Sequence, residues 1–135
     1  MSGSVFPSVG PAGPAGAAGA AGPAGGSALA PVVANPVAGQ ISTDASLSWS
    51  FRSTLDASTV TLNNPTNAAD GQKIVWELIQ DGAGNRALAF GGKFVLGSDI
   101  PTVVLSVGAG KRDFIGAIYN AASDRFYVTA LSRGF

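Results

Sequence analysis

Beyond residue 40, apolar and polar residues alternate in short runs rather than at helical spacing. Runs rich in Val, Ile, Phe, Tyr and Thr recur there between clusters of Gly, Asn and Asp, a pattern typical of strands separated by turns. Strands are predicted at residues 47–55, 58–62, 73–80, 86–90, 102–107, 111–120 and 125–131. This spacing predicts an all-β head over residues 41–135, folded as a small antiparallel sandwich or barrel.

The predicted strands are of two kinds. Leu47, Trp49 and Phe51 alternate with serines, which predicts one buried and one exposed face. Residues 74–79 are apolar on both faces except at Glu77, and residues 114–119 behave in the same way. Because such strands need cover on both faces, we expect one face to pack in the core and the other against a neighbouring subunit. The expected core comprises Ile74, Trp76, Leu78, Phe114, Ile118, Phe126 and Val128.

The N-terminal third of the chain has a different period. Glycine recurs at every third position, at Gly10, Gly13, Gly16, Gly19, Gly22 and Gly25. Three polyproline-II chains wind together only where the axial residue has no side chain, so this register predicts a collagen-like, three-chain stem over residues 10–27. A Gly, Ala and Pro-rich linker without a triple helix is the alternative, since the run is short and its central triplets lack proline.

The stem is flanked by two short segments. Residues 28–40 contain two prolines and no sustained periodicity, which predicts an extended neck. Residues 1–9 carry Val5, Phe6 and Val9, which we predict to anchor the protein by filling small pockets on another protein, with a plain chain terminus as the alternative.

Composition narrows the possible functions. The eight basic and eight acidic residues cancel, so electrostatics does not favour binding to nucleic acid. Cysteine and histidine are absent, which removes disulfides, thiol nucleophiles and the commonest metal and acid–base side chains. We therefore expect no catalytic site, no cofactor and no metal, and we predict that the protein is not an enzyme. The sequence shows neither a signal-peptide pattern nor a span of roughly 20 apolar residues, so it predicts neither secretion nor membrane insertion.

Three local motifs resemble reactive sites without matching them. Residues 108–112 lack the first glycine and the final Ser or Thr of a phosphate loop, which favours a hairpin turn. Residues 81–85 supply too few oxygens for calcium, which favours a glycine-rich hairpin loop. Glu77 lies in an apolar run, so we expect it to pair with Arg112 or Lys73 or to lie at a subunit boundary. A glycosidase role for Glu77 stays open, because the separation of a carboxylate pair is a three-dimensional property.

From about residue 59 to residue 135 the chain resembles a module of tailed-bacteriophage structural proteins. The resemblance rests on residues 61–72, 79–91 and 130–135, and it covers somewhat over half of the chain. It implies a virion surface protein, made in the host cytoplasm and assembled with other virion proteins. The expected form is a homotrimeric head decoration or head fibre. The alternative is a short tail fibre or spike tip that binds a host receptor or glycan. The resemblance transfers no catalytic residue.

Overall fold

The computed structural model describes residues 30–135 of the 135-residue chain. Predictions for residues 1–29, namely the anchor, the stem and the start of the neck, lie outside the described residues. The described part is strand-rich and contains no helix. Its strands are β1 Val32–Val33, β2 Gln40–Ile41, β3 Ser50–Leu55, β4 Thr59–Leu62, β5 Lys73–Gln80, β6 Ala87–Phe90, β7 Phe94–Leu96, β8 Arg112–Asn120 and β9 Arg125–Ser132.

The first six strands alternate between two sheets. A six-stranded sheet has the order β1-β3-β5-β8-β9-β7, and a three-stranded sheet has the order β2-β4-β6. The chain therefore passes from one sheet to the other and back in successive coils, each lying beside the previous one. Corners of this path contain left-handed residues, among them Gly39 at φ 76° and Gly84 at φ 67°.

Strand pairing differs from the predicted antiparallel arrangement. Neighbours in the three-stranded sheet are parallel throughout, and β1-β3, β3-β5 and β7-β9 are also parallel. Only β5-β8 and β8-β9 are antiparallel. The all-β class is confirmed, whereas a purely antiparallel head is wrong, because the turns after β3, β4 and β5 change sheets instead of reversing the chain within one sheet.

Both sheets contribute to one core. Ile41, Val60 and Leu62 come from the three-stranded sheet, and Phe51 and Trp76 come from the six-stranded sheet, each at most 1% exposed. Phe94 of β7 contacts the Trp76 ring edge-on with centroids 5.6 Å apart. The expected core residues Ile74, Trp76, Leu78, Phe126 and Val128 are buried, as predicted.

Four expected inward residues are not in the core. Phe114 and Ile118 are half-buried, because alternate side chains of β8 point away from the three-stranded sheet. Leu47 and Trp49 are 59% and 47% exposed. Their alternation with serine predicted one continuous strand, but β3 begins only at Ser50, and the preceding residues form a turn in which Asp44 accepts from Ser46.

Residues 102–107 form no strand, although their sequence predicts one. Side chains satisfy part of their backbone instead. Ser106 N–H donates to Asp113 Oδ2 at 2.6 Å, and the carbonyl of Ser106 accepts from Gln80 Nε2 at 2.9 Å. The short strands β1, β2 and β7 were not predicted, and β1 shows that residues of the neck pair with the head through β3.

Candidate functional site

The six-stranded sheet has a second face that the three-stranded sheet does not cover. We call it the outer sheet face and define it by the side chains that alternate with the core-facing ones. Across the sheet, Val33, Arg52, Glu77 and Phe114 follow one another in register, and Ile79 and Arg112 form the next row. Other apolar or aromatic members include Val75, Ile118, Tyr127 and Phe135, and polar members include Ser50, Thr54 and Lys73.

Phe135 reaches this face through the end of the chain. Its backbone exchanges two hydrogen bonds with Arg112, at 2.9 and 3.1 Å, which extends the antiparallel pairing of β8 beyond β9. The Phe135 ring lies edge-on to Phe114 with centroids 5.7 Å apart, while 65% of the residue stays exposed. Val33 is 63% exposed on the opposite side of the same face. The outer sheet face therefore carries exposed apolar side chains on both sides, with polar and charged side chains between them.

An ion cluster lies in the middle of the apolar residues. Glu77 Oε1 accepts from Arg52 Nε at 2.9 Å, and Glu77 Oε2 accepts from Arg112 Nη1 at 2.8 Å. The two guanidinium groups cover the carboxylate, so Glu77 is only 7% exposed. Burying a carboxylate is unfavourable unless it is paired, and here both oxygens are paired. The predicted pairing of Glu77 with Arg112 is confirmed, Lys73 is not a partner, and Arg52 was missed.

Arg52 could have been identified from the strand pattern. It lies between the core residues Phe51 and Ser53, so its side chain must point to the same face as alternate residues of the neighbouring strand. The sequence did not show that β5 is that neighbour, because the pairing of β3 with β5 is parallel and passes through the other sheet.

Most other carboxylates hold loops together. Asp81 accepts from both Arg86 Nε and Arg86 Nη2, at 3.1 and 2.8 Å, and from two backbone N–H groups of its own loop. The Arg86 guanidinium holds the pKa of Asp81 below its usual value. Hydrogen bonds from Ser46 and then Asn67 lower the pKa of Asp44 in the same direction. Buried Asp113 accepts from the backbone of Ser106 and Gly134.

A second linked set ties β7 to the turn between β8 and β9. Lys93 Nζ lies 2.7 Å from Asp124 Oδ2, and Tyr119 donates its hydroxyl to Asp124 Oδ1 at 2.7 Å. Lys93 first, and then Tyr119, lowers the pKa of Asp124. The same Asp124 hydrogen bond raises the pKa of Tyr119 above its usual value.

The two glycine-rich motifs are turns, but neither is the predicted hairpin, since residues 108–112 follow a segment that forms no strand. Residues 81–85 connect β5 to β6, which lie in different sheets, so the expected hairpin loop is a corner between sheets. Both oxygens of Asp81 are already occupied by Arg86 in this corner. In residues 108–112, Lys111 N–H donates to the carbonyl of Gly108, which makes a tight turn leading into β8. Neither loop is preceded by a strand and followed by a helix, as a phosphate loop would be.

Two clefts open on the described surface. An apolar one of about 210 Å³ lies between the start of β6 and residues 103–107, with Leu88 and Val104 in its wall. The other, of about 430 Å³, contains Asp99 and Ile100. Neither wall contains two carboxylates. Across residues 30–135, no three His, Cys, Asp or Glu residues cluster as a metal site would require.

Between residues 30 and 135, no helix has the length and apolar character needed to span a membrane.

Comparisons with family models, with curated proteins and with solved structures found no match to this chain. The resemblance to phage structural modules therefore stays an expectation from the sequence. Val5, Phe6, Val9 and the six periodic glycines lie outside the described residues, and their roles stay predictions.

Proposed function

We propose that this protein is a structural protein of a tailed-bacteriophage virion, a homotrimeric head decoration or head fibre that projects from the capsid. The observation that carries the proposal is the glycine at every third position from Gly10 to Gly25, directly ahead of an all-β head. A glycine register of this kind serves three-chain assembly. In an extended form the stem would reach on the order of 55 Å at ~3.1 Å per residue, which is long enough to hold a head away from a shell.

The chemistry of the described head supports a structural role. Asp44, Asp81, Asp113 and Asp124 hold loops, and Glu77 is enclosed by two arginines. General acid–base catalysis needs a carboxyl group within hydrogen-bond reach of a substrate. The Glu77 carboxylate is paired and the residue is only 7% exposed, so a substrate would have little access to it. This favours a protein that acts through its shape and surfaces, without a cofactor.

The proposed assembly is a trimer of small sandwich-like heads. Both sheets share one core, and the outer sheet face of each copy stays available for contact. Residues 1–9 anchor the trimer to the particle through Val5, Phe6 and Val9, and the head forms the outer end. The proposed location is the virion surface.

A short tail fibre or spike tip is the second candidate, and one surface feature favours it. Trp49 is 47% exposed beside Leu47, which is 59% exposed. Exposed indole rings combine a large apolar face with a hydrogen-bonding N–H, which suits contact with a partner surface. In this alternative the partner is a host receptor or glycan.

Gold-labelled antibodies against the head, applied to intact particles in electron microscopy, test the proposal and separate the two candidates. We expect label distributed over the capsid. Label confined to the tail tip would favour the fibre, and Trp49→Ala should then reduce binding of particles to host cells. An absence of label, together with absence of the protein from purified particles by mass spectrometry, would overturn both candidates.

A further inference from the structure

The outer sheet face carries many apolar side chains among polar ones, and the three-stranded sheet does not cover it. Strands that are buried on both faces are apolar on both sides. Strands β5 and β8 have this composition, with Val75, Ile79, Phe114 and Ile118 on the outer face. One face of the sheet packs in the core. The other has the composition of a face that is covered in the assembled protein.

The distance between stem and sheet limits what the cover can be. Gly25 is the last periodic glycine and β1 begins at Val32, at one edge of the six-stranded sheet. Seven residues span at most roughly 25 Å even when fully extended. If three chains meet at the stem, each β1 strand therefore lies within about 25 Å of the common axis. Val33 of β1 is a member of the outer sheet face, so one edge of this face lies within the same distance of the axis.

We propose that the outer sheet face is the contact surface between copies of this chain, with three such faces directed towards a common axis. This inference rests on the trimer proposed above and identifies the surface that forms it. The occupant is a second copy of the chain, because the stem brings further copies to this edge of the sheet.

The size of the face agrees with this role. The four long strands of the sheet, β3, β5, β8 and β9, have 6 to 9 residues each and lie about 4.8 Å apart, so they cover on the order of 500 Å² in projection. Side chains that stand above the sheet add to this area. A standard interface buries ~800 Å² of accessible surface on each partner, so the face is of the required order.

The ion cluster adds specificity to a surface of mixed apolar and polar side chains. Arg52 uses Nε and Arg112 uses Nη1 on Glu77. Each guanidinium carries further N–H donors, which can bind carbonyl or carboxylate oxygens of a neighbouring copy. Because Glu77 holds both arginines in fixed positions, these donors are presented in one geometry, which favours a single register between copies.

Cysteine substitution tests the surface directly, because the natural chain contains no cysteine. Val33→Cys places a thiol on the outer sheet face, and Val37→Cys places one at the corner before β2. The two valines are 63% and 78% exposed in the single chain, so a free surface would let both thiols react at similar rates. In the full-length protein we expect iodoacetamide to alkylate Val33→Cys at least about tenfold more slowly than Val37→Cys, with each variant having the mass of a trimer.

A paired substitution provides an independent readout. Val33→Gln combined with Val75→Gln adds polar, uncharged side chains to the face, and Val37→Gln combined with Val104→Gln makes the same change elsewhere on the surface. We expect the first pair to weaken the trimer at least about tenfold in sedimentation equilibrium, and the second pair to leave it unchanged.

The outcomes separate this inference from the proposed function. A trimer in which both thiols react equally fast, or in which the first pair of glutamines has no effect on mass, would overturn the surface and leave the trimer intact. A monomer with both thiols reactive would overturn the trimer itself. A monomer with Val33→Cys protected would also overturn the inference, since a segment of the same chain would then cover the face.

Discussion

Two tryptophans of this chain occupy opposite environments, and the contrast shows how the core is fixed at the level of single residues. Trp76 is fully buried and donates its indole N–H to Thr43 Oγ1 at 3.0 Å, so the hydrogen-bonding need of the ring is met inside the core. Trp49 lies at the surface. Burial, rather than residue type, decides what each contributes to stability.

We predict that Trp76→Ala lowers the free energy of unfolding by about 3–5 kcal/mol, the range for emptying a large aromatic site, and also leaves Thr43 without its partner. Trp49→Ala is the matched control and should cost less than about 1 kcal/mol. Urea unfolding followed by circular dichroism measures both. Equal losses for the two variants would show that the Trp76 side chain is not in the core.

The corner between β5 and β6 depends on one glycine and tolerates change at another. Gly84 has φ +67°, and a Cβ on it would lie 2.5 Å from the carbonyl oxygen of Val107. Nothing lies within 4 Å of a Cβ placed on Gly82. Gly84→Ala should therefore cost about 1–3 kcal/mol, and Gly82→Ala should stay within about 0.5 kcal/mol of the wild type. Differential scanning calorimetry compares them, and similar melting temperatures for both variants would refute this geometry of the corner.

At the scale of elements, the sequence predicted where strands lie better than how they pair. Residues 73–80 were predicted as a strand and form β5 with the same bounds, because a long apolar run between turns is a local signal. The partners of β5 are not local. It pairs in parallel with β3 after the chain has passed through β4 in the other sheet. The residues of the intervening turns do not indicate that the chain changes sheets.

The outer sheet face could be predicted only in part, because its strand pairing is also non-local. Two-sided apolar strands predicted that Phe114 and its neighbours need cover beyond the core, which stays a prediction, and the expected pairing of Glu77 with Arg112 is confirmed. Val33 was assigned to the neck and Arg52 was not recognised, because both join the surface only through the parallel pairing of β1 with β3 and of β3 with β5. Residues 102–107 look like a strand locally, but side chains of Gln80 and Asp113 take the place of a neighbouring strand.

The contacts among Lys93, Asp124 and Tyr119 link three elements. Their contribution to stability should decrease at both low and high pH. The lowered pKa of Asp124 means that its contribution to stability is present above about pH 3.8, its ordinary value, and is lost as pH falls through the folded pKa. The raised pKa of Tyr119 means that its contribution is present below about pH 10 and is lost as pH rises through the folded pKa.

We predict that Lys93→Met raises the pKa of Asp124 towards 3.8 by more than Tyr119→Phe does, because Lys93 is the larger cause of the lowering. Carboxyl carbon chemical shifts of Asp124, followed by NMR over a pH titration, measure both effects. The pKa of Asp81, which is lowered by Arg86, should be the same in both variants and serves as the internal reference. A larger effect of Tyr119→Phe would contradict the stated order of causes.

At the scale of the whole molecule, the proposed polarity runs from an N-terminal anchor through a stem to an outward-facing head. The head has its own core within residues 30–135. Attachment and folding should therefore be separable functions of the chain.

We predict that deletion of residues 1–9 abolishes incorporation into particles and leaves a folded, soluble trimer, because docking depends on Val5, Phe6 and Val9. Quantitative mass spectrometry of purified particles gives the occupancy, and Val37→Gln in the full-length chain is a control that should incorporate normally. Normal occupancy of the deleted form would mean that another part of the chain, and not the N-terminus, attaches the protein.

The number of chains in the assembled protein is the central claim, because the three-chain stem and the proposed contact through the outer sheet face both depend on it. Sedimentation equilibrium of the full-length protein at micromolar concentration measures it without reference to shape. The predicted result is a single species of three times the 13.4 kDa chain mass, roughly 40 kDa. A stable species of 13.4 kDa at the same concentration would contradict both the three-chain stem and the proposed contact between heads.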